Sequence, residues 1–532
     1  MAGHLFIVNG DLTKIACDAI LIPTDAAFTI TRSWRALLAD RTLPKRWTCG
    51  NVLPLDHVKQ EPRIWLGNIG QPGDNSKYEV FEPTIREFVE KASSAVRSVD
   101  DSDRIYPWPK HRIALNVVGS GYGGGSQKKG DLLRGLVSTL QELAGKCDID
   151  ILLITRGEKS YAAAQRARHQ VVGDGNLTQI WRFSDIPSHD LVSEARKIAS
   201  AAIESQLVLF IGAGVSAGAG LPTWHGLMAE MALEAGMSPD VMTLLKTKDL
   251  RDQATLIERQ LKITDIQLRN LVVTNLSGKT RYSLQHALLA SLPSREAITT
   301  NFDKLFEEAS RTDDKDIAVL PDDPSQTGGR WLLKLHGSLD DPERMVLTRS
   351  DYLEMPRRYG ALIGLVQGLL LMRHMMFVGY SLSDEDFHEL IHEVRAARGG
   401  SNDGARGTVL TLFDDGLERQ LWEDDLHVVS MTRLPPDQKG KGTRTEAARQ
   451  LEVFLDLVGF LSTTSAAFFL DPTYDSLSDD EADLRDALTN LVQATDGAQF
   501  DSVAHKISRF LKEELGANTE ARRGLPRRTF RE

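Results

Sequence analysis

Between Gln206 and Met431 short runs of β-prone apolar residues recur, and most stop abruptly in glycine or small polar residues. They read "QLVLFIG", "REAITTNFD", "RWLLKLHGS", "HMMFVGYSLSD", "GTVLTLFDD" and "LHVVSM". Runs this short and this uniformly apolar suit strands covered on both faces. Segments of helical period, such as "DFHELIHEVRAAR" and "EAARQLEVFLDLVGFL", lie between and after them and supply the covers. The predicted architecture is an α/β doubly wound parallel sheet, in which ligands bind beyond the carboxyl ends of the strands. Four loops then converge on one crevice.

The first of these loops continues from its strand as "GAGVSAGAGLPTW", with Gly212, Gly214, Gly218 and Gly220 close together. A tight turn needs one or two glycines at positive φ, so four strip side chains from a whole backbone surface. Two readings follow: a cradle of N–H groups for a pyrophosphate, or a turn that lets a helix pack closely on the sheet. The other loops offer Asn301 and Asp303 around Phe302, His336 followed by a glycine, and Gly379, Ser381 and Asp384. These are hydrogen-bonding partners for hydroxyls and an amide, together with one base that titrates near neutrality. A lone histidine after a strand is more often structural. On the same crevice as a dinucleotide loop and an Asn-x-Asp, that preference reverses.

A chain of 532 residues is too long for one ordinary core, so two or three domains are expected. The predicted domains are 1–187, 188–461 and 462–532. The first carries the strand-like "HLFIV", "DAILIP", "RIALNVVG" and "DIDILLITRG" with helical "TIREFVEKASSAVRSV" and "DLLRGLVSTLQELAG", which predicts a second α/β domain. Its "GSGYGGG", from Gly119 to Gly125, stands beside Lys128 and Lys129 and suits a phosphate-bearing ligand, or else is a flexible surface loop. Asp11 is a turn or cap residue, or meets an adenine amino group. The last stretch is acidic and helical, with apolar Leu484, Leu488 and Leu491, and ends in the basic "ARRGLPRRTFRE". It is predicted to be a helical appendage and tail.

The net charge of -11 argues against nucleic acid as a partner of the whole chain. The start "MAGHLFIVNGDL" lacks the basic, long apolar pattern of a signal peptide, and no apolar run reaches a membrane-spanning length of about 18 residues. A cytoplasmic protein without a membrane partner is expected. Cys17, Cys49 and Cys147 have no CxxC spacing, so no metal site is expected from them.

Taken together, "GAGVSAGAGLP", "TTNFD", "KLHGS" and "VGYSLSD" resemble the Sir2 (sirtuin) family in order and spacing, over about half of the chain. The resemblance implies a Rossmann-like domain that binds NAD+ and breaks its nicotinamide–ribose bond. It places Gly212, Ala213, Gly214 and Ser216 by the pyrophosphate, and Asn301 and Asp303 at the nicotinamide ribose and amide. His336 becomes the base, and Gly379 and Ser381 hold the adenosine side.

Two departures choose a branch. Deacylating sirtuins carry a zinc ribbon of paired cysteines after the catalytic histidine, and this chain has no cysteine after Cys147. They also carry Asp-Phe-Arg where this chain has Thr223, Trp224 and His225. The variant is similar to bacterial defence-associated Sir2 proteins that hydrolyse NAD+ during phage infection. That branch implies a homo-oligomer and, in some cases, a partner defence protein. "VNGDLTKIACDAILIPTDAAF" resembles the opening of a macro domain, although Thr24 and Asp25 replace the usual Ala-Ala-Asn. This second resemblance implies a three-layer α/β fold that binds an ADP-ribose-like nucleotide and gates the catalytic domain.

The residues support this chemistry without the analogy. Nicotinamide leaves as a neutral group, and the electron-poor ribose carbon left behind needs positioning more than acid catalysis. Asn301 is suited to orient a water or the ribose hydroxyls, and neutral His336 to take a proton from either. Asp303 is a candidate to orient amide or ribose, or else is a structural cap after its strand. Trp224 walls the nicotinamide pocket or belongs to the core. The leading expectation is an NAD+ glycohydrolase with NAD+ as substrate. A deacylase or ADP-ribosyltransferase, and a non-catalytic NAD+ or ADP-ribose sensor, are the alternatives.

Overall fold

The computed structural model describes residues 2–517 apart from 39–40, 49, 56–61, 71–76, 99–103, 107, 120–127, 174, 312–316, 325–328, 383–384, 398–406, 436–439 and 496. It divides the chain into two compact units, one of Met1–Ile105, Lys110–Arg182 and Thr463–Glu532, the other of Tyr106–Pro109 and Phe183–Ser462.

The first unit is built on six strands: β1 (Leu5–Asn9), β2 (Ala19–Thr24), β3 (Val52–Pro54), β4 (Arg63–Asn68), β5 (Arg112–Asn116) and β6 (Asp150–Thr155). Their order is β1-β6-β5-β2-β4-β3, parallel except where β3 runs against β4. β1 and β6 are buried along their whole length, as near-continuous apolar runs require. The helix Glu82–Arg97 buries Ile85, Phe88, Val89, Ala92 and Val96, and Lys129–Lys146 buries Leu132, Leu136, Leu140 and Leu143. Both sets fall at helical spacing and enter one core with the sheet. β3 and β4 were not anticipated from the sequence.

The C-terminal stretch is a part of this unit and not an independent appendage. Phe468 and Tyr474 lie in the core of the first unit. The helices Asp479–Thr495 and Val503–Glu513 close on Leu488, Val492, Ile507 and Leu511, while Leu484 and Leu491 stay largely exposed. The basic end from 518 onward lies outside the described residues.

The second unit holds β7 (Leu207–Ile211), β8 (Glu296–Thr299), β9 (Ala318–Leu320), β10 (Trp331–Lys334), β11 (His374–Val378), β12 (Gly407–Thr411) and β13 (His427–Ser430). All pair in parallel, in the order β13-β12-β11-β7-β8-β10-β9. This is the doubly wound α/β sheet expected from the recurring runs. The chain winds one way from β7 through β8 and the other way from β11 through β12, so strand order reverses between β7 and β11. In such sheets the crevice opens beyond the strand ends at that reversal. One face is sealed by Phe210, Phe377, Phe387, Val366 and Leu369, with long helices such as Arg349–Met372 contributing. Among the described residues no helix is long and apolar enough to cross a membrane.

Candidate active site

Sheet register sets the site. Ile211 is paired with both Val378 and Thr299, and Thr299 with Lys334, so four strands end at one level. One residue further on stand Gly212 and Gly379; two further on stand Asn301 and His336. Sequence positions scattered over more than a hundred residues thus leave the sheet side by side.

The two glycine turns meet each other. The Gly212 amide donates to the Val378 carbonyl and the Gly214 amide to the Gly379 carbonyl, each at 2.9 Å. A Cβ on Gly212 would lie 2.4 Å from the Gly379 oxygen, and one on Gly214 would lie 2.8 Å from the Gly379 Cα. Gly379 itself has φ +66, and a Cβ there would meet the Val215 nitrogen at 2.6 Å. These glycines are therefore demanded by backbone packed on backbone at the reversal point. Ala213 starts the short helix Ala213–Ala217, partly exposed, and Ser381 is exposed. Asp384 lies outside the described residues. The loop's far end is held by Trp108, of the segment that belongs to this unit, whose indole N–H donates to the Gly218 carbonyl at 3.0 Å.

Beneath the loop lies a buried polar network. The Ser216 hydroxyl donates to Asp303 Oδ2 at 2.8 Å and accepts from Asn301 Nδ2 at 3.1 Å. Asn301 Nδ2 also donates to the Gly212 carbonyl at 3.1 Å, which fixes the amide's orientation, because the opposite one would set two acceptors face to face. Asn301 Oδ1 is then left buried with no hydrogen-bond partner among the described residues. An orphaned buried acceptor is costly and calls for an explanation. Asp303 Oδ1 accepts the Leu305 amide at 3.0 Å, closing a turn just ahead of the helix Leu305–Ser310, whose N-cap position is Lys304, while its other oxygen holds Ser216. The Ser216 side chain is 2% exposed and faces these protein groups, not the outer surface of the loop.

His336 is buried next to Gly337, whose φ of +91 and approach to the Arg344 carbonyl exclude a side chain there. Its ring meets Tyr352 edge-on at 5.4 Å, and the Arg251 guanidinium lies 4.6 Å from the Tyr352 ring. His336 and Tyr352 line a cavity of about 250 Å³ with Phe210, Met355 and Tyr380. Trp224 is half-buried, 5.9 Å from the Phe302 ring, and Thr223 caps its helix by accepting the Gly226 amide.

Two participants escaped the sequence reading. Lys334, 2% exposed, gives its ammonium to the Phe302 and Asp303 carbonyls and to Glu307 Oε1 at 2.8 Å. It thereby ties the strand that carries His336 to the loop that carries Asn301. His286, fully buried, stands 3.3 Å from Ser216 Oγ through Nε2. Nothing in "LQHALLAS" marks it, because its partner lies 70 residues away.

In the first unit, Asp11 closes a turn by accepting the Thr13 amide and hydroxyl, and Asp25 accepts the Ala27 and Thr29 amides. Residues 120–125 of the glycine-rich loop lie outside the described residues. Lys129 is paired with Asp471 at 3.1 Å, and Lys159 reaches the same carboxylate at 3.0 Å. Burial works to raise the Asp471 carboxyl, but hydrogen bonds from Thr473 and the two ammonium groups hold it well below the usual range. Lys128 lines a polar cavity of about 560 Å³ with Lys77, Arg134 and Arg166 and with the carboxylates of Glu79, Asp131, Asp475 and Glu481. Among the described residues of the chain no cluster of three or more His, Cys, Asp or Glu side chains is placed to hold a metal ion.

Residues 295–431 match the model of the SIR2-like domain family. The NAD(+) hydrolase ThsA of Bacillus cereus (strain MSX-D12) is 26% identical over 200 residues, 37% of this chain and 41% of that protein. The protein of the same name from Cytobacillus dafuensis is 29% identical over 206 residues, 37% of this chain and 39% of its own. Defense-associated sirtuin 2 of Bacillus subtilis is 26% identical over 215 residues, 39% of this chain and 21% of its own. The chain thus spans about two fifths of the length of the first relatives it matches. A solved Sir2–p53 peptide–NAD+ complex is 15% identical with a TM-score of 0.24, covering 44% of this chain and 90% of that one. Three of the four loops, those of Asn301, His336 and Gly379, thus lie within the stretch of the second unit that matches a SIR2-like domain.

Proposed function

We propose that this chain is an NAD+ glycohydrolase that cleaves the nicotinamide–ribose bond and acts in bacterial antiphage defence by depleting NAD+. The observation that carries the reading is Asn301 Oδ1, a buried acceptor without a partner among the described residues, level in the sheet with His336. A ribose hydroxyl or an attacking water satisfies it. Relatives named NAD(+) hydrolase and defence-associated sirtuin support the same reading.

The chemistry asks little of the protein beyond placement. The C1′–N bond breaks with its electron pair going to nicotinamide, which departs neutral. Water forms the new C1′–O bond, and its proton passes to the neutral ring of His336 and on to solvent, leaving ADP-ribose. Asn301 holds the water or hydroxyl through Oδ1. The turn of Gly212, Ala213 and Gly214 lies by the pyrophosphate, the amides of Gly212 and Gly214 serving to lock that turn onto Val378 and Gly379, and Gly379 and Ser381 lie toward the adenosine side. Asp303 acts through Ser216 by holding the amide of Asn301 in place.

The first unit, in this reading, takes an ADP-ribose-like nucleotide at the polar cavity beside Lys128 and gates cleavage, in a homo-oligomer. Lys77 and Lys128 are the cations there that it would use, since Arg134 and Arg166 are paired with Asp131 and Glu481. The test is nicotinamide release from NAD+ by the full chain, with and without added ADP-ribose. Asn301→Ala and His336→Ala are expected to lower release on the order of a hundredfold or more. Release only in the presence of an acylated peptide would replace hydrolysis by deacylation. An unaltered rate with ADP-ribose, and in Lys77→Ala/Lys128→Ala, would remove the gating.

A further inference from the structure

Among the described residues of the second unit, His286 is the one fully buried histidine that the reaction described above does not use. It sits on the first turn of the helix Leu284–Ser291, where the Ser283 hydroxyl caps the helix. Its Nδ1 faces the Ser283 amide at 3.2 Å and the Ser283 hydroxyl at 2.8 Å; its Nε2 faces Ser216 Oγ at 3.3 Å. A backbone amide can only donate, so Nδ1 is an acceptor and the ring proton is on Nε2. Burial lowers the ring's pKa to about 4 against the opposing pull of Asp303, which keeps the imidazole neutral.

The consequence falls on Ser216. A hydroxyl has one proton and two lone pairs. With His286 Nε2–H and Asn301 Nδ2–H both donating to it, its two lone pairs are taken and its own proton has one direction left, toward Asp303. Were the ring proton on Nδ1, Nε2 would become a second acceptor competing with Asp303 for that proton. The Ser216 oxygen would then no longer be held toward Asn301. The Asn301 amide, whose orientation is set by the Gly212 carbonyl, would then lose the second of its two anchors, and the orphaned Oδ1 would be held less firmly.

We propose that His286 is a positioning residue for NAD+ cleavage: by donating from Nε2 to Ser216 it fixes the hydroxyl's proton on Asp303 and so keeps the second anchor of the Asn301 amide in place, beside the Gly212 carbonyl that orients it. The inference rests on the NAD+ hydrolase reading. It predicts different outcomes for two variants of similar size. Asparagine keeps a polar group near the Ser283 amide but is too short to reach Ser216. Glutamine places an N–H close to where Nε2 stands.

The experiment uses the full chain and NAD+, with kcat, KM and the melting temperature measured for the wild type, His286→Asn and His286→Gln. The tautomer of His286 is read from the nitrogen shifts of ring-labelled histidine, assigned by the loss of signal in a variant. The expected result is an Nε2–H tautomer in the wild type. For His286→Asn kcat falls about tenfold or more with KM near the wild-type value, the loss of one buried hydrogen bond in the reacting geometry. His286→Gln recovers most of that kcat. An Nδ1–H tautomer overturns the inference. So do equal kcat values for His286→Asn and the wild type, or losses in both variants that simply follow melting temperature. Absence of nicotinamide release by the wild type, with the Nε2–H tautomer in place, instead overturns the hydrolase reading on which the inference stands.

Discussion

The proposed role of His286 turns on a single proton position. Its pKa lies near 4 when folded against an ordinary 6.5, because burial penalises the charged ring. A folded value below the unfolded one means that the unfolded chain binds the proton more readily. The neutral ring's contribution is therefore complete above about pH 6.5 and is lost as pH falls toward 4, amounting to about 3 kcal/mol in all. The expected outcome is a fall in the urea midpoint of the second unit between those pH values. His286→Asn, which does not titrate, shows a smaller fall, and identical slopes would refute the assignment. The same residue marks the limit of reading from sequence. Asn301, His336 and Asp303 follow strands and could be singled out from "TTNFD" and "KLHGS". His286 and Lys334 sit inside elements, where a polar residue in an apolar run gives no sign of what it touches.

At the level of elements, the recurring apolar runs were legible because a covered parallel strand must be short and continuously apolar. The strands β7, β8, β10, β11, β12 and β13 all arise from runs recognised in the sequence. β3, β4 and β9 were not, two of them being only three residues long and β4 broken by Gly67. What the glycine loop is for was also only half legible. Its glycines suggested a surface left bare for a ligand, yet Gly212 and Gly214 face the backbone at Gly379. Of the two weighed readings, close packing is the one seen in the backbone of these glycines, and the pyrophosphate cradle stays part of the proposed function. Gly379→Ala is expected to lower stability by on the order of 1–3 kcal/mol, from a Cβ at positive φ set against the Val215 amide. NAD+ cleavage should be lost with it. Gly278→Ala, with nothing within 4 Å of the added carbon and an ordinary φ, is the matched control and should melt like the wild type. Calorimetry on both variants checks this, and a neutral Gly379→Ala would mean that the two turns are not locked together.

At the scale of the whole molecule, composition anticipated more than one domain but not how the chain shares itself between them. The acidic end read as an appendage because its apolar residues are sparse and helical in period. Phe468 and Tyr474, which place that end in the first unit's core, precede the helical stretch and carry no periodic signal. Removal of residues 463–532 is therefore expected to cost the first unit several kcal/mol, on the scale of losing buried aromatics from a core. Its calorimetric transition should move down or vanish while that of the second unit persists. A first unit that melts unchanged would contradict the shared core.

In the proposed function NAD+ is the substrate that this chain destroys. The most direct measurement is to incubate the purified full chain with NAD+ alone and quantify nicotinamide and ADP-ribose together, before and after adding nucleotide ligands. The two products are expected in equal amounts, without any peptide or second acceptor, and are expected to disappear in Asn301→Ala and His336→Ala. Intact NAD+ under every condition, or nicotinamide formed without matching ADP-ribose, would contradict the proposed function.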